Sequence, residues 1–170
     1  MGIRYYAYAF DPDMYEQARA HPESVLGSDP LADAWGFEPG ATGIIHASLK
    51  QSLPKNDFLY LDKAWRGLQD VTRSGGRTRP AYRMFEGDVT WPGICYESWI
   101  RTISPSEVPA IAEDLHEINN EHISDLIEIP SGCDESHRSY VEYLRNHLRK
   151  AERFVNDLSD QGRGFVYTIR

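Results

Sequence analysis

Between Ser136 and Asp160 the chain carries Tyr140, Val141, Leu144, Leu148, Ala151, Val155 and Leu158 at helical spacing, with charged residues between them. This stripe predicts one helix of about 25 residues, roughly 37 Å long at 1.5 Å per residue. A helix of that length with a single apolar face needs an extended surface to bury it against. Gly162 follows where helices commonly stop, and Phe165, Tyr167 and Ile169 then alternate with Val166, Thr168 and Arg170. The period of two predicts a closing strand. At the other end, Ile3, Tyr5, Ala7 and Ala9 alternate with Arg4, Tyr6, Tyr8 and Phe10, which predicts an opening strand. A chain with strands at both ends and helices concentrated in its second half reads as α+β with a mixed sheet, not as a regular βαβ series.

Local signals place the remaining elements. Asp11-Pro12 opens a helix that stops near His21, because the residue before Pro22 is disfavoured in the α region. Asp29-Pro30 repeats the device on a small scale, opening a turn that Gly36 closes. Residues 36–57 read as loop with at most one strand and a short apolar centre at Ile44-Ile45. Phe58–Leu61 reads as strand, after which Asp62 is expected to cap a helix reaching about Arg73. On that helix Leu61, Trp65, Leu68 and Thr72 share one face, opposite Lys63, Arg66 and Asp70. Ser74–Pro80 has loop composition. Strands are expected at 80–85 and 94–103, joined across Glu86-Gly87-Asp88 and a Trp91-Pro92-Gly93 turn. Ser104-Pro105-Ser106-Glu107 has the pattern of a capping box, and the helix after it buries Val108, Ile111, Leu115 and Ile118. A short helix near 120–128 and a break at 129–132 complete the chain. No repeat, linker or low-complexity tract interrupts it, so its 170 residues read as one domain.

At Leu59-Tyr60-Leu61-Asp62-Lys63-Ala64-Trp65, followed by Leu68, the chain resembles the bacterial YfbM-like family, a domain of unknown function. The opening Met1-Gly2-Ile3, the strand leading into Ser104-Pro105-Ser106-Glu107-Val108, and the long final helix with its closing strand agree with that resemblance. Arg66 stands where the family pattern usually has His, and Gln69 departs as well, so no histidine chemistry carries over to this helix. The resemblance implies an α+β fold and a cytoplasmic bacterial protein. It brings no activity, cofactor or site residue.

Charge and motifs narrow the function. Eighteen Lys and Arg against 26 Asp and Glu leave a net charge of −8, which repels a phosphate backbone, so no nucleic-acid partner is expected. Cys95 and Cys133 are too few for a disulfide scaffold, and the first apolar run ends at Asp11, too short for a leader or a membrane span. A cytoplasmic location is expected. Phosphate-loop, nucleophile-elbow and zinc-ligand motifs are missing from the sequence, and no catalytic residue or cofactor is assigned. Glu113-x-x-His116, echoed at Asp134–His137, has the spacing of a carboxylate-bridged metal site. Glu113, however, lies opposite the apolar stripe and should face water. His147 sits at the rim of the long helix's stripe and is expected to pack there with one hydrogen bond. Cys95 reads as a small core residue.

One place strains a local rule. Lys63 and Arg66 sit at the start of a helix, where the macrodipole prefers anions. Asp62, Lys63 and Arg66 are therefore the candidate site for an anion or a partner's carboxylate. Arg77, Arg79 and Arg83, beside Arg73, form the one basic cluster in the sequence. The first functional expectation is a non-catalytic, protein-binding domain of inhibitor or immunity type, whose acidic surface steers a basic partner. The second is a small-molecule or anion-binding domain around the helix beginning at Asp62, a reading that leaves an enzyme open. The non-catalytic reading takes the ionisable side chains to point into bulk solvent instead of converging on a shared cavity.

Overall fold

β1 (Tyr5–Phe10) and β4 (Gly164–Ile169), from opposite ends of the chain, pair antiparallel from Tyr5↔Ile169 to Phe10↔Gly164 and form the middle of a four-stranded sheet. β2 (Phe58–Asp62) flanks β1 and β3 (Trp99–Ile103) flanks β4, giving the order β2-β1-β4-β3. The computed structural model describes residues 2–37, 48, 50–73, 79–90, 97–120 and 134–170. The α+β class is as expected; all described pairings are antiparallel, narrower than the mixed sheet expected.

The central strands are apolar on both faces because both faces are covered. On one face Tyr5, Ala7, Leu59, Leu61, Phe165, Tyr167 and Ile169 join the main core. That core is completed by α3 (Trp65–Arg73), α4 (Val108–Asn120) and α5 (Asp134–Gln161). On the other face Tyr6, Tyr8 and Phe58 pack with Ala34 of α2 (Pro30–Trp35), and Phe10 and Val166 pack with Ala18 of α1 (Tyr15–Ala20). The stripe of α5 is buried from Val141 to Leu158 as expected, except that Tyr140 is 44% exposed. Phe154, which the stripe omitted, is buried. Val108, Ile111, Leu115 and Ile118 of α4 are all buried.

Capping follows the sequence in part. Asp29 accepts from the Ala32 N–H at 3.1 Å, and Gly36 ends α2 at φ 60°. Gly162 ends α5 at φ 64°, in the left-handed region that glycine enters without a Cβ penalty. Asp11 makes no cap bond; its carboxylate lies 2.8 Å from Arg163 Nε, and a 3₁₀ turn (Pro12–Met14) precedes α1. The capping box is half made. The Ser104 N–H and hydroxyl both donate to the Glu107 carboxylate, at 2.9 and 2.8 Å, and α4 begins only at Val108. Burial alone would raise the Glu107 pKa, but these two donors and Arg83 outweigh it and hold it low.

The strand expected at 80–85 is instead a 3₁₀ helix (Pro80–Met84). Proline presets its first φ, and the buried Asp114 carboxylate accepts the Ala81 N–H at 2.8 Å. An exposed edge cannot compete with that bond. Of the strand expected at 94–103, residues 99–103 are β3. The Ile44-Ile45 segment, residues 74–78, the 91–93 turn, residues 94–96, the short helix near 120–128 and the break at 129–132 lie outside the described residues, as do Cys95 and Cys133.

A Cβ at Gly164 would lie 2.7 Å from the Ile103 carbonyl oxygen and against the Phe10 ring, and the backbone oxygen has no room to yield. Gly164→Ala should therefore lose about 1–3 kcal/mol of stability in urea denaturation. Wild-type stability in that variant would contradict the packing of β4 between its neighbours.

Candidate functional site

The ladder between β1 and β2 is irregular at its end: Tyr6 faces Tyr60, but Tyr5 faces Asp62, so Leu61 is an extra residue. Asp62 takes up the distortion with φ 48°, a left-handed conformation that Asp adopts more readily than most residues. The bulge re-aims its carboxylate. Arg4 Nε and the Tyr60 hydroxyl each donate to Oδ1 at 2.9 Å, and the Tyr143 hydroxyl donates to Oδ2 at 3.4 Å. The opening segment, β2 and α5 are thus tied at one carboxylate. This corrects two expectations. Asp62 does not cap α3, which begins at Trp65, and the ionisable side chains here converge instead of pointing into bulk solvent.

The surroundings tune the cluster. Burial would pull the Arg4 guanidinium down, but Tyr60 and Asp62 outweigh it and its pKa rises. Burial, followed by the Asp62 charge, raises Tyr143. Burial also raises Tyr60, with the Trp35 indole opposing and Asp62 assisting. These phenols stay protonated and donate. The buried His147 meets the Tyr143 carbonyl through Nδ1 at 2.8 Å; a carbonyl can only accept, so Nδ1 carries the proton. Burial holds the His147 pKa below its usual 6.5, and the charge of Lys150 acts in the same direction. The single hydrogen bond expected for His147 is this one.

Beside the cluster runs a cleft of about 470 Å³ along β2, within the size range of small-molecule sites. Ala34 and Trp35 of α2, with Gln51 and Lys55, form one wall. Phe58, Leu59 and Tyr60 form the floor, and Lys150, Arg153, Phe154 and Asp157 of α5 form the other wall. The Gln51 amide nitrogen donates to the Phe58 carbonyl at 3.1 Å and the Leu53 carbonyl at 2.8 Å, covering the outer edge of β2. Lys55, Lys150 and Arg153 are exposed and make no ion pair among the described residues. Another depression, of about 480 Å³ at the N-terminal half of α5, is lined by His137, Arg138, Arg145 and neighbours of that one helix. It has no opposing wall among the described residues.

The sequence-derived site residues are not gathered in this cleft. Lys63 is exposed, its side chain lying over Gly2. Arg66 is exposed with its guanidinium 5.3 Å above the Trp65 ring. Arg79 pairs with Asp114 at 2.7 Å and Glu117 at 3.4 Å, and Arg83 pairs with Glu107 at 2.7 Å. Both arginines fasten the 80–84 segment to α4 and the turn before it; Arg77 lies outside the described residues. Glu113 faces solvent, while His116 meets Glu152 of α5 at 2.9 Å and Asn119 donates to the same carboxylate. Among the described residues no three metal-ligating side chains converge. Sequence reasoning missed Trp35, Lys55, Tyr60, Lys150 and Arg153. Lys150, Arg153 and Asp157 share one helix face, but that spacing looks the same on any solvated helix.

A family model described as a domain of unknown function, DUF1877, matches residues 1–168. The chain belongs to the DUF1877 family. No curated protein and no solved structure matches it. Among the described residues of this DUF1877 chain, no helix is long and apolar enough to cross a membrane.

Two outcomes follow from the Asp62 cluster. Asp62→Asn keeps an acceptor and tolerates the positive φ but loses the charge. It should cost about 1–3 kcal/mol, the range for hydrogen bonds to charged groups. Asp62→Ala should cost a further ~1–2 kcal/mol, because alanine resists the left-handed conformation. Urea denaturation measures both, and an Asn variant as stable as wild type would show the ion pair to be idle. For His147, the unfolded chain binds more protons than the native one between the lowered native pKa and 6.5. Its contribution is therefore complete above about pH 6.5 and is lost as the pH falls below it. His147→Gln should narrow the difference between melting temperatures at pH 5 and pH 7.5; an unchanged difference would contradict this assignment.

Proposed function

We propose that this domain binds a small organic anion in the cleft between α2, β2 and α5. One observation carries the reading: Lys55, Lys150 and Arg153 line a single cleft together with Trp35, Phe58, Tyr60 and Phe154, in a chain whose net charge is −8. Cations gathered against the sign of the whole molecule create a local positive potential, and low-dielectric walls focus it. Phe58 and Phe154 are buried beneath the cleft and Trp35 and Tyr60 are partly exposed in it, so apolar surface is offered beside the charges. That mixture of apolar lining and a few placed polar groups is typical of small-molecule sites.

This reading develops the second sequence expectation and moves its centre from Lys63 and Arg66 to Lys55, Lys150 and Arg153. It is favoured over the protein-binding expectation because an acidic exterior recruiting a basic partner gives no role to a cationic, aromatic-lined cleft. The cleft geometry supports binding and assigns no reaction step. The narrower YfbM-like affiliation, carried by the Leu-Asp-Lys-x-Trp element, and a bacterial cytoplasmic setting belong to the same proposal.

The test is thermal stabilisation against a panel of carboxylates, phosphates and sulfonates. A binder at 100 times its Kd should add about 2.7 kcal/mol to the folded state. Lys150→Ala and Arg153→Ala should abolish the stabilisation, while Lys63→Ala and Arg66→Ala should leave it intact. The reading fails if no anion stabilises the protein, or if the effect follows Lys63 and Arg66 instead.

A further inference from the structure

Resting on the anion-binding reading, we infer that the ligand is an aromatic phosphomonoester, its ring against Trp35 and Tyr60 and its phosphate among Lys55, Lys150 and Arg153. The charge of the lining sets the anion. Three cations against the one carboxylate of Asp157 leave a net charge of +2. A phosphomonoester carries about −1.5 to −2 at neutral pH, whereas a carboxylate carries −1. Lys150 and Arg153 are three residues apart on α5 and so share a face, and Lys55 lines the same cleft from the segment after Gln51. Donors from two segments suit a group with three acceptor oxygens better than a planar carboxylate, which one arginine fork can satisfy.

The aromatic end is held rigid before any ligand arrives. Arg4 lies 5.7 Å from the Trp35 ring centroid and is not part of the cleft lining, so it supports the indole from outside. The Tyr60 hydroxyl donates to Asp62 at 2.9 Å. The Tyr60 ring stacks on Tyr6 with centroids 5.4 Å apart. Both rings are therefore fixed by partners outside the cleft, yet each keeps part of its surface open within it. Rigid aromatic surface binds a flat ring with little loss of side-chain entropy. The Asp62 cluster acquires a positioning role on this account: it orients the stacking surface through Tyr60 and Arg4 without touching ligand.

The experiment is calorimetric titration of the full chain with inorganic phosphate, benzoate, phenyl phosphate, adenosine 5′-monophosphate and adenosine. At least one ring-bearing phosphate should bind tenfold or more tightly than inorganic phosphate, benzoate and adenosine. Trp35→Leu should remove that preference while leaving the inorganic phosphate affinity unchanged. If Trp35→Leu does not fold, the comparison of probes on the wild-type chain stands alone, and Lys150→Met should weaken phenyl phosphate more than adenosine. Equal affinities for inorganic phosphate and both ring-bearing phosphates would overturn this inference and leave the anion-binding reading in place. Benzoate or adenosine binding as tightly as the aromatic phosphates would overturn the phosphate assignment. Binding by none of the probes, with no stabilisation by the wider anion panel, would overturn both.

Discussion

The pairing of β1 with β4 is the constraint on which the rest of the structure depends. It joins the two ends of the chain over six residue pairs in the middle of the sheet, so both edge strands hang on it. β4 is reached from α5 through Gly162 and Arg163 alone, which fixes where the long helix must lie. Arg163 fastens that corner, with Nε 2.8 Å from Asp11 and Nη1 2.8 Å from Asp57. From there α5 runs back beside β2, with Phe154 and Phe58 lining one cleft and the Tyr143 hydroxyl reaching Asp62. The seam becomes a cleft because β2 is an edge strand, and α2 with the 51–55 segment forms its second wall.

Two parts of that seam do different work. At one end a carboxylate is saturated by Arg4, Tyr60 and Tyr143, which makes it a structural tie. Along the rest, cations stand without ion-pair partners among the described residues. Paired charges hold elements together, whereas cations with no internal partner have interaction energy left for a ligand. Tyr60 belongs to both parts, and Trp35 touches the first through Arg4 and lines the second. The strain of the left-handed Asp62 therefore lies next to the open site, where backbone strain is often found.

The helical periodicity of α4 and α5, the alternation of β1 and β4, and the glycine stops at Gly36 and Gly162 were legible because each depends on neighbours within a turn or two. Other features depend on distant residues. Asp62 looked like a helix cap by local rule, but a bulge against β1 and the guanidinium of Arg4 outcompeted the three or four residues that follow it. Pro80–Met84 looked extended until Asp114, from a different helix, supplied the acceptor that a 3₁₀ start needs. The candidate site was hidden for the same reason. Lys150 and Arg153 resemble the solvated side of any amphipathic helix, and only Lys55 and Trp35, far away in the sequence, make them one wall of a cleft. The Glu-x-x-His spacing, by contrast, was legible from its helix face: Glu113 is exposed as expected, and His116 turns toward Glu152.

The central claim is that the seam between β2 and α5 is where this protein meets its ligand. The most direct measurement is a residue-resolved NMR titration of the isotope-labelled chain with phenyl phosphate. The account predicts progressive shifts of the Trp35 indole, the Tyr60 amide and the amides around Lys150 and Arg153, with α4 and the 80–84 segment undisturbed. Shifts centred on Arg79 and Arg83, or on Lys63 and Arg66, would contradict it.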